Sequence, residues 1–298
     1  MSQSHSHSHS QLEPTRKPIE AMYNTSQIPT DFHSHLQYEI YYFHSGKCNY
    51  LIGDRIFELK PGDLILMNGM TLHCPRVDTR EEYCRTIVHF EPSFVEGLLG
   101  PPFKLPLLAP FETHMNQRLS LSEEDRAQIE PLLERMCLLH SRHDALSHDR
   151  LVAGLLELLM LIYEIADKPQ SSSGAQPGVK QQNVQALISY IEEHYREELT
   201  LEDLAQHMHL NKHYIVKIFK ETTGITLFHY LYQRRVNQAK VLFTMNPDLT
   251  ITEAAYEVGF KYISHFSQTF KKHTGRSPDE YRRELRQSYD KSTGRIRP

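Results

Sequence analysis

The sequence predicts an α+β protein of two domains: a small, mostly antiparallel β unit with flanking helices, then an all-α domain containing two helix-turn-helix units. Three observations carry this. Between Phe32 and His89, short apolar runs alternate with turn residues at Ser45-Gly46, Gly53-Asp54, Pro61-Gly62 and Asn68-Gly69. From Ser122 onward, apolar residues recur at helical spacing. In the last third, one supersecondary unit is written twice.

Composition bounds the reading. With 298 residues, 39% hydrophobic and 23% charged, the chain has the make-up of ordinary soluble globular proteins and is long enough for two cores. The formal charge of -4 is unevenly spread: residues 180–298 carry 18 Lys+Arg against 14 Asp+Glu, while the remainder carries 15 against 23. The basic excess therefore lies in the helical region, where a polyanion contact would need it. Cys48, Cys74, Cys84 and Cys137 are widely spaced and form no Cys-x-x-Cys pair, so neither a disulfide framework nor a thiolate zinc site is indicated, and reduced thiols in a cytoplasmic protein fit. No membrane span is expected, because the most apolar run, Leu151 to Ala166, is interrupted by Glu157 and Glu164.

Residues 1–20 open with alternating serines and histidines and read as a flexible tail that could loosely chelate a metal. Residues 21–168 read as the first domain. Within it, Asn49 to Ile52 and Arg55 to Leu59, separated by Gly53-Asp54, predict a tight hairpin. Ile129, Leu132, Leu133, Met136 and Leu139, then Leu155, Leu158, Leu159 and Ile162, predict two amphipathic helices that either pair within the domain or form a dimer surface. Residues 169–180, rich in Ser, Gly, Pro and Gln, read as a linker. Residues 181–290 read as the helical domain and 291–298 as a tail.

In the repeat, Leu199/Leu249, Ala205/Ala255, Met208/Val258 and Leu210/Phe260 match at an offset of 50, whereas Ile215/Phe266, Phe219/Phe270 and Gly224/Gly275 match at 51. One residue is thus inserted in the turn. Thr200 and Thr250 suit N-caps, and Gly224 and Gly275 suit left-handed C-caps. The second helix of each copy buries two apolar residues and leaves a face free for a major groove. Between the copies, Leu227 to Thr244 reads as a connecting helix with Leu231, Val236, Ala239, Leu242 and Phe243 inward and Arg234, Arg235 and Lys240 outward. Two recognition helices held about one DNA turn apart, roughly 34 Å, could enter successive major grooves.

At Glu257-Val-Gly-Phe260, at Phe266 and Phe270, and at Gly275-Arg-Ser-Pro278 with Tyr281-Arg282, the sequence resembles the AraC/XylS family of bacterial regulators, over about residues 183–285. The resemblance implies sequence-specific binding of double-stranded DNA. It implies base-facing residues Lys212, His213, Val216 and Lys217 in the first recognition helix and Ile263, Ser264, Ser267 and Gln268 in the second. Lys217 could donate to guanine, Gln268 could pair with adenine, and Val216 and Ile263 could touch thymine methyls. Gln268 stands where the family commonly has arginine. Arg234 and Arg235, with Lys271, Lys272 and Arg276, read as phosphate contacts or solvated charges.

In the first domain, His33-Ser-His35-Leu-Gln-Tyr-Glu39 followed by Gly46 resembles the first motif of the cupin barrel, and His73 falls near the second. Period two would put His33, His35 and Glu39 on one strand face, converging with His73 if that face lines the barrel. The four side chains read as polar groups of an effector pocket, as ligands of a divalent transition metal, or as ordinary satisfied core groups. Asn68-Gly-Met-Thr-Leu-His73 lacks the proline and glycine spacing of metal-dependent cupins.

The sequence therefore predicts a cupin-like β-barrel that binds a small-molecule effector, a sugar among the candidates, and an AraC-type domain that binds DNA. A homodimer is expected, with RNA polymerase as a further partner if the protein activates. No cofactor is required and no catalysis is expected, since nothing specifies a reactive substrate position. The alternatives are a metal-dependent cupin enzyme and a metal-sensing regulator.

Overall fold

Strand β2 (Tyr38–Ser45) shows why the first domain folds as it does: both of its faces are apolar because it has two cores to fill. The computed structural model describes residues 17–24, 32–113, 116–168 and 178–293. Of the tails expected over 1–20 and 291–298, residues 1–16 and 294–298 lie outside the described residues, as does 169–177 of the linker, whereas Ile19 and Glu20 open a strand and 291–293 close a helix. The described chain forms two compact units that divide between Gln181 and Gln182.

In chain order the first unit contains β1 (Ile19–Asn24), β2, β3 (Cys48–Ile52), β4 (Arg55–Glu58), β5 (Asp63–Met67), β6 (His73–Val77), β7 (Cys84–Phe90), α1 (Pro92–Leu98), α2 (Ala109–Glu112), β8 (Gln117–Ser120), α3 (Glu123–His140) and α4 (Ala145–Asp167). The strands make two antiparallel sheets, ordered β1-β7-β2-β5-β8 and β4-β3-β6. The hairpin predicted at Gly53-Asp54 is present, with Ile52 opposite Arg55.

Alternation divides the large sheet between its two faces. Tyr41, Phe43, Ile65 and Met67 point toward the small sheet, where they meet Cys48, Tyr50 and Ile52. Ile40, Tyr42, Leu64, Leu66, Val88 and Phe90 point the other way, into a core shared with α3 and α4. The two helices use Leu132, Met136, Leu155, Leu158 and Ile162 in this core, so for those residues the pair within the domain is realised. Ser122 starts α3 through a capping box with Asp125. None of the four cysteines is disulfide-bonded, and burial pushes the Cys48 thiol up to about 12.

The second unit contains α5 (Val179–His194), α6 (Leu201–Met208), α7 (Lys212–Thr223), α8 (Leu227–Met245), α9 (Ile251–Glu257), α10 (Ile263–Thr274) and α11 (Pro278–Thr293). Helix α5 takes in Val179 and Lys180, which the sequence assigns to the linker. Thr200 and Thr250 each close a capping box, with Asp203 and Glu253, and Gly224 and Gly275 end α7 and α10 in the left-handed region. The turns between the paired helices carry His209 and Gly259 at matching left-handed positions. Phe266 and Phe270 are fully buried against Phe243, Val258 and Tyr281. Among the described residues, no helix is long and apolar enough to cross a membrane.

Candidate functional site

The first site lies at one end of the inter-sheet space. Strand register puts Glu20, His89 and Glu39 on one transverse row of β1, β7 and β2, facing the same way as Tyr41 and Phe43. His89 Nε2 lies 2.9 Å from Glu39 Oε2, and His89 Nδ1 lies 4.0 Å from Glu20 Oε2. From the other side His35 Nε2 approaches Glu39 Oε2 at 3.0 Å and His73 Nε2 at 3.7 Å. The ring centroids of His33 and His73 are 4.2 Å apart. The four residues expected from sequence are therefore together, and His89 joins them. Strand alternation over Arg85, Ile87 and His89 marked the face of β7, but no local signal gave its register against Glu39, 50 residues away.

The reason for the convergence differs from the expected one. His33 and His35 precede β2 and do not share its face; they lie on a segment that the rest of the barrel holds. His33 and His73 exchange backbone hydrogen bonds of 3.1 Å, and the His35 amide donates to the Gly69 carbonyl at 2.9 Å. Gly69, at φ +71°, permits this: a Cβ there would stand 2.0 Å from the Gln37 carbonyl oxygen and 2.5 Å from His35 Nδ1.

The donor set fits a cation. His35 Nδ1 lies 2.9 Å from the Gln37 carbonyl and His73 Nδ1 lies 2.8 Å from that of Thr71, so in each neutral ring the proton belongs on Nδ1. Both Nε2 atoms then turn lone pairs toward the Glu39 carboxylate, and His73 Nε2 is buried with no hydrogen-bond partner. An added proton would relieve the clash, but burial pushes His73 well below the usual imidazole range and lowers His35 despite its contact with Glu39. Burial alone would raise Glu39; the facing imidazoles, His89 foremost, outweigh it and hold the carboxyl well below its usual value. His35, Glu39 and His89 form one possible ligand group and His33, His35 and His73 another. Three imidazoles and a carboxylate suit manganese, iron, zinc or nickel, which would act as a Lewis acid or as an anchor for a polar ligand.

The second site is the pair of recognition helices. On α7, His213, Val216 and Lys217 are exposed, Lys217 by 71% of its side chain. Lys212 is half-buried and ion-paired to Glu202. With Lys220 and Leu201, these four residues line one concave surface. On α10, Ile263, Ser264 and Gln268 are exposed and Ser267 is half-buried. Tyr214, Lys220, Lys261 and Tyr262 are also exposed beside these positions and escaped the sequence reading. Asn211 caps α7 by accepting from the His213 amide, whereas Tyr262 offers α10 no side-chain cap.

Two expected phosphate contacts are corrected. Arg235 is buried at 6% exposure, donating from Nε to the Tyr195 carbonyl at 2.6 Å and from Nη2 to that of Glu197 at 2.7 Å. Arg234 is half-buried, 2.5 Å from Glu192 and stacked over the Tyr195 ring. Lys240, also expected outward, is half-buried, and desolvation pushes its ammonium down to about 8. Helical periodicity fails at Arg234 and Arg235 because α5 and the loop after it cover that side of α8.

A β domain of two facing sheets and a helical domain with a duplicated helix-turn-helix define a two-domain helix-turn-helix protein. The family model described as "AraC-like ligand binding domain" matches residues 14–160, and one described as "Helix-turn-helix domain" matches 204–284. The chain belongs to the AraC family. It is 30% identical over 155 residues to an HTH-type transcriptional regulator of Staphylococcus aureus (strain COL), covering 52% of this chain and 20% of the relative, so it spans about a fifth of that protein's length. The HTH-type transcriptional regulator YbfI of Bacillus subtilis (strain 168) is 29% identical over 240 residues, covering 80% of this chain and 81% of the relative. Among solved structures, the C-terminal domain of AraT, a response regulator from Geobacillus stearothermophilus, is 34% identical, covering 34% of this chain and 84% of that one, with a TM-score of 0.33.

Proposed function

We propose that the chain is a cytoplasmic, sequence-specific DNA-binding regulator whose N-terminal pocket takes a small-molecule effector. The observation that carries this is the pair of recognition helices, α7 and α10, built on matching capped frames with polar faces exposed. The effector class that suits the pocket is a polar metabolite such as a sugar, since imidazoles and a carboxylate exchange hydrogen bonds with hydroxyl groups. A homodimer belongs to the reading, as does RNA polymerase as partner in activation. A monomeric mass across the micromolar range would remove the dimer. Catalysis does not belong to it; turnover that disappears in His35→Ala would instead mark a cupin enzyme.

The test is selection of bound duplexes from a random pool by the full chain at near-physiological salt. Two short blocks about one helical turn apart are expected. On that site Lys217→Ala should weaken binding by about 1–3 kcal/mol while leaving random DNA nearly unaffected. An equal loss on both would make Lys217 a phosphate contact.

A second reading, the metal-sensing regulator, is favoured by the two buried Nε2 lone pairs aimed at Glu39. It predicts one bound divalent ion per chain, removable by chelator, with DNA affinity that changes on removal. A chain that binds no divalent ion, or whose DNA affinity is the same with the ion and with chelator, would eliminate it.

A further inference from the structure

The helix-turn-helix repeat extends further than the matched sequences suggest. At the same offset of 51, Tyr230 of α8 corresponds to Tyr281 of α11, and both are buried. Arg235 of α8 likewise corresponds to Arg286 of α11. Arg235 donates to carbonyls in the segment ahead of α6, and Arg286 Nε donates to the Pro247 carbonyl, 2.5 Å away, ahead of α9. Each helix-turn-helix thus has its own arginine clasp, reaching from the third helix to the backbone that leads into the first.

The two clasps differ in what covers them. Arg286 keeps 37% of its side chain exposed, whereas Arg235 is buried. The cover comes from the turn of the second helix-turn-helix. The Phe260 ring lies 5.6 Å from the Arg235 guanidinium and stacks on Tyr232 at 5.9 Å. Gly259, at φ +91°, packs so closely on the clasped segment of the first helix-turn-helix that a Cβ would stand 2.5 Å from the Arg196 carbonyl oxygen. Lys261 Nζ pairs with Glu198 Oε2 of that segment at 2.5 Å. Besides the connecting helix, then, the two helix-turn-helices meet directly, and Arg235 sits at the centre of the joint. A buried guanidinium must keep its acceptors, and here the acceptors are backbone, so they cannot shift without moving α6.

We propose that Arg235 is a positioning residue that sets the distance and rotation between the two recognition helices, so that the protein accepts a single spacing between its two base blocks. This rests on the DNA-binding reading above. One base pair added between blocks shifts the second by about 3.4 Å and rotates it by about 35°, which a jointed domain follows and a fixed one does not.

The experiment measures the affinity of the full chain for its selected site and for versions with one or two base pairs inserted or removed between the blocks. Wild type is expected to show one optimum, losing at least about tenfold per base pair displaced. Arg235→Met, which keeps the apolar stem, should flatten the profile, losing affinity at the optimum and little elsewhere. Gly259→Ala, acting from the other side of the joint, should flatten it too and serves if Arg235→Met does not fold. Arg286→Met, in the uncovered clasp, should lower affinity without changing the shape. A broad wild-type profile, or variants at Arg235 and Gly259 that lose affinity equally at every spacing, would overturn the inference while leaving DNA binding intact. If wild type selects no site at all, it is the DNA-binding reading that fails.

Discussion

Phe270→Ala is expected to unfold the second helix-turn-helix and cost about 3–5 kcal/mol. Its ring is fully buried among Phe266 on its own helix, Phe243 on α8 and Tyr281 on α11, at centroid distances of 5.5, 6.1 and 5.4 Å. Because its ring touches rings on α8, α10 and α11, collapse around the void would have to move these helices together. A loss of this size is a large share of a domain's total stability. Denaturant unfolding should show an early transition absent from wild type, with the β domain's transition unmoved. Footprinting should lose the block read by α10. A loss below about 1 kcal/mol with both blocks protected would mean that the core repacks and that this account of it is wrong.

The second large effect is expected at Glu39. If a divalent ion binds among His35, Glu39, His73 and His89, saturating metal stabilises the folded first domain by about 2.7 kcal/mol when free metal is a hundred times Kd. Glu39→Ala removes the carboxylate shared by three of the imidazoles and should abolish that increment. In metal-free protein it also leaves His89 Nε2 without its acceptor, a separate cost of about 1–3 kcal/mol. The deciding quantity is the metal-dependent part, read as the difference between thermal unfolding with metal and with chelator. A wild-type midpoint that manganese, iron, zinc and nickel all fail to move would leave the cluster as a hydrogen-bonded effector pocket.

What the sequence made legible was whatever repeats or stays local. The duplicated unit, its threonine caps and its glycine ends depend on residues a few positions apart, and each is found where spacing puts it. The Gly53-Asp54 hairpin is local in the same sense. His89 was missed because its place beside Glu39 depends on how β7 registers on β2. Arg234 and Arg235 were misassigned for a related reason: periodicity gives the face of a helix on which a residue lies, but not what packs on that face. A charged residue there defaults to solvent unless distant backbone supplies acceptors, as Tyr195 and Glu197 do. His33 and His35 reached the right place by a route that strand periodicity did not describe, the close approach at Gly69.

The double-faced burial of β2 has a consequence for signalling. Glu39 faces the imidazole cluster and its neighbour Ile40 faces the core of α3 and α4, so a ligand bound at the cluster would lie one strand's thickness from the helix pair. With a ligand bound there, the large sheet would act as a diaphragm. A close-packed interior transmits strain instead of absorbing it. An occupant that pushes on the row of Glu20, His89 and Glu39 therefore presses on the helix pair through the strands themselves, without a loop or a hinge to carry the message.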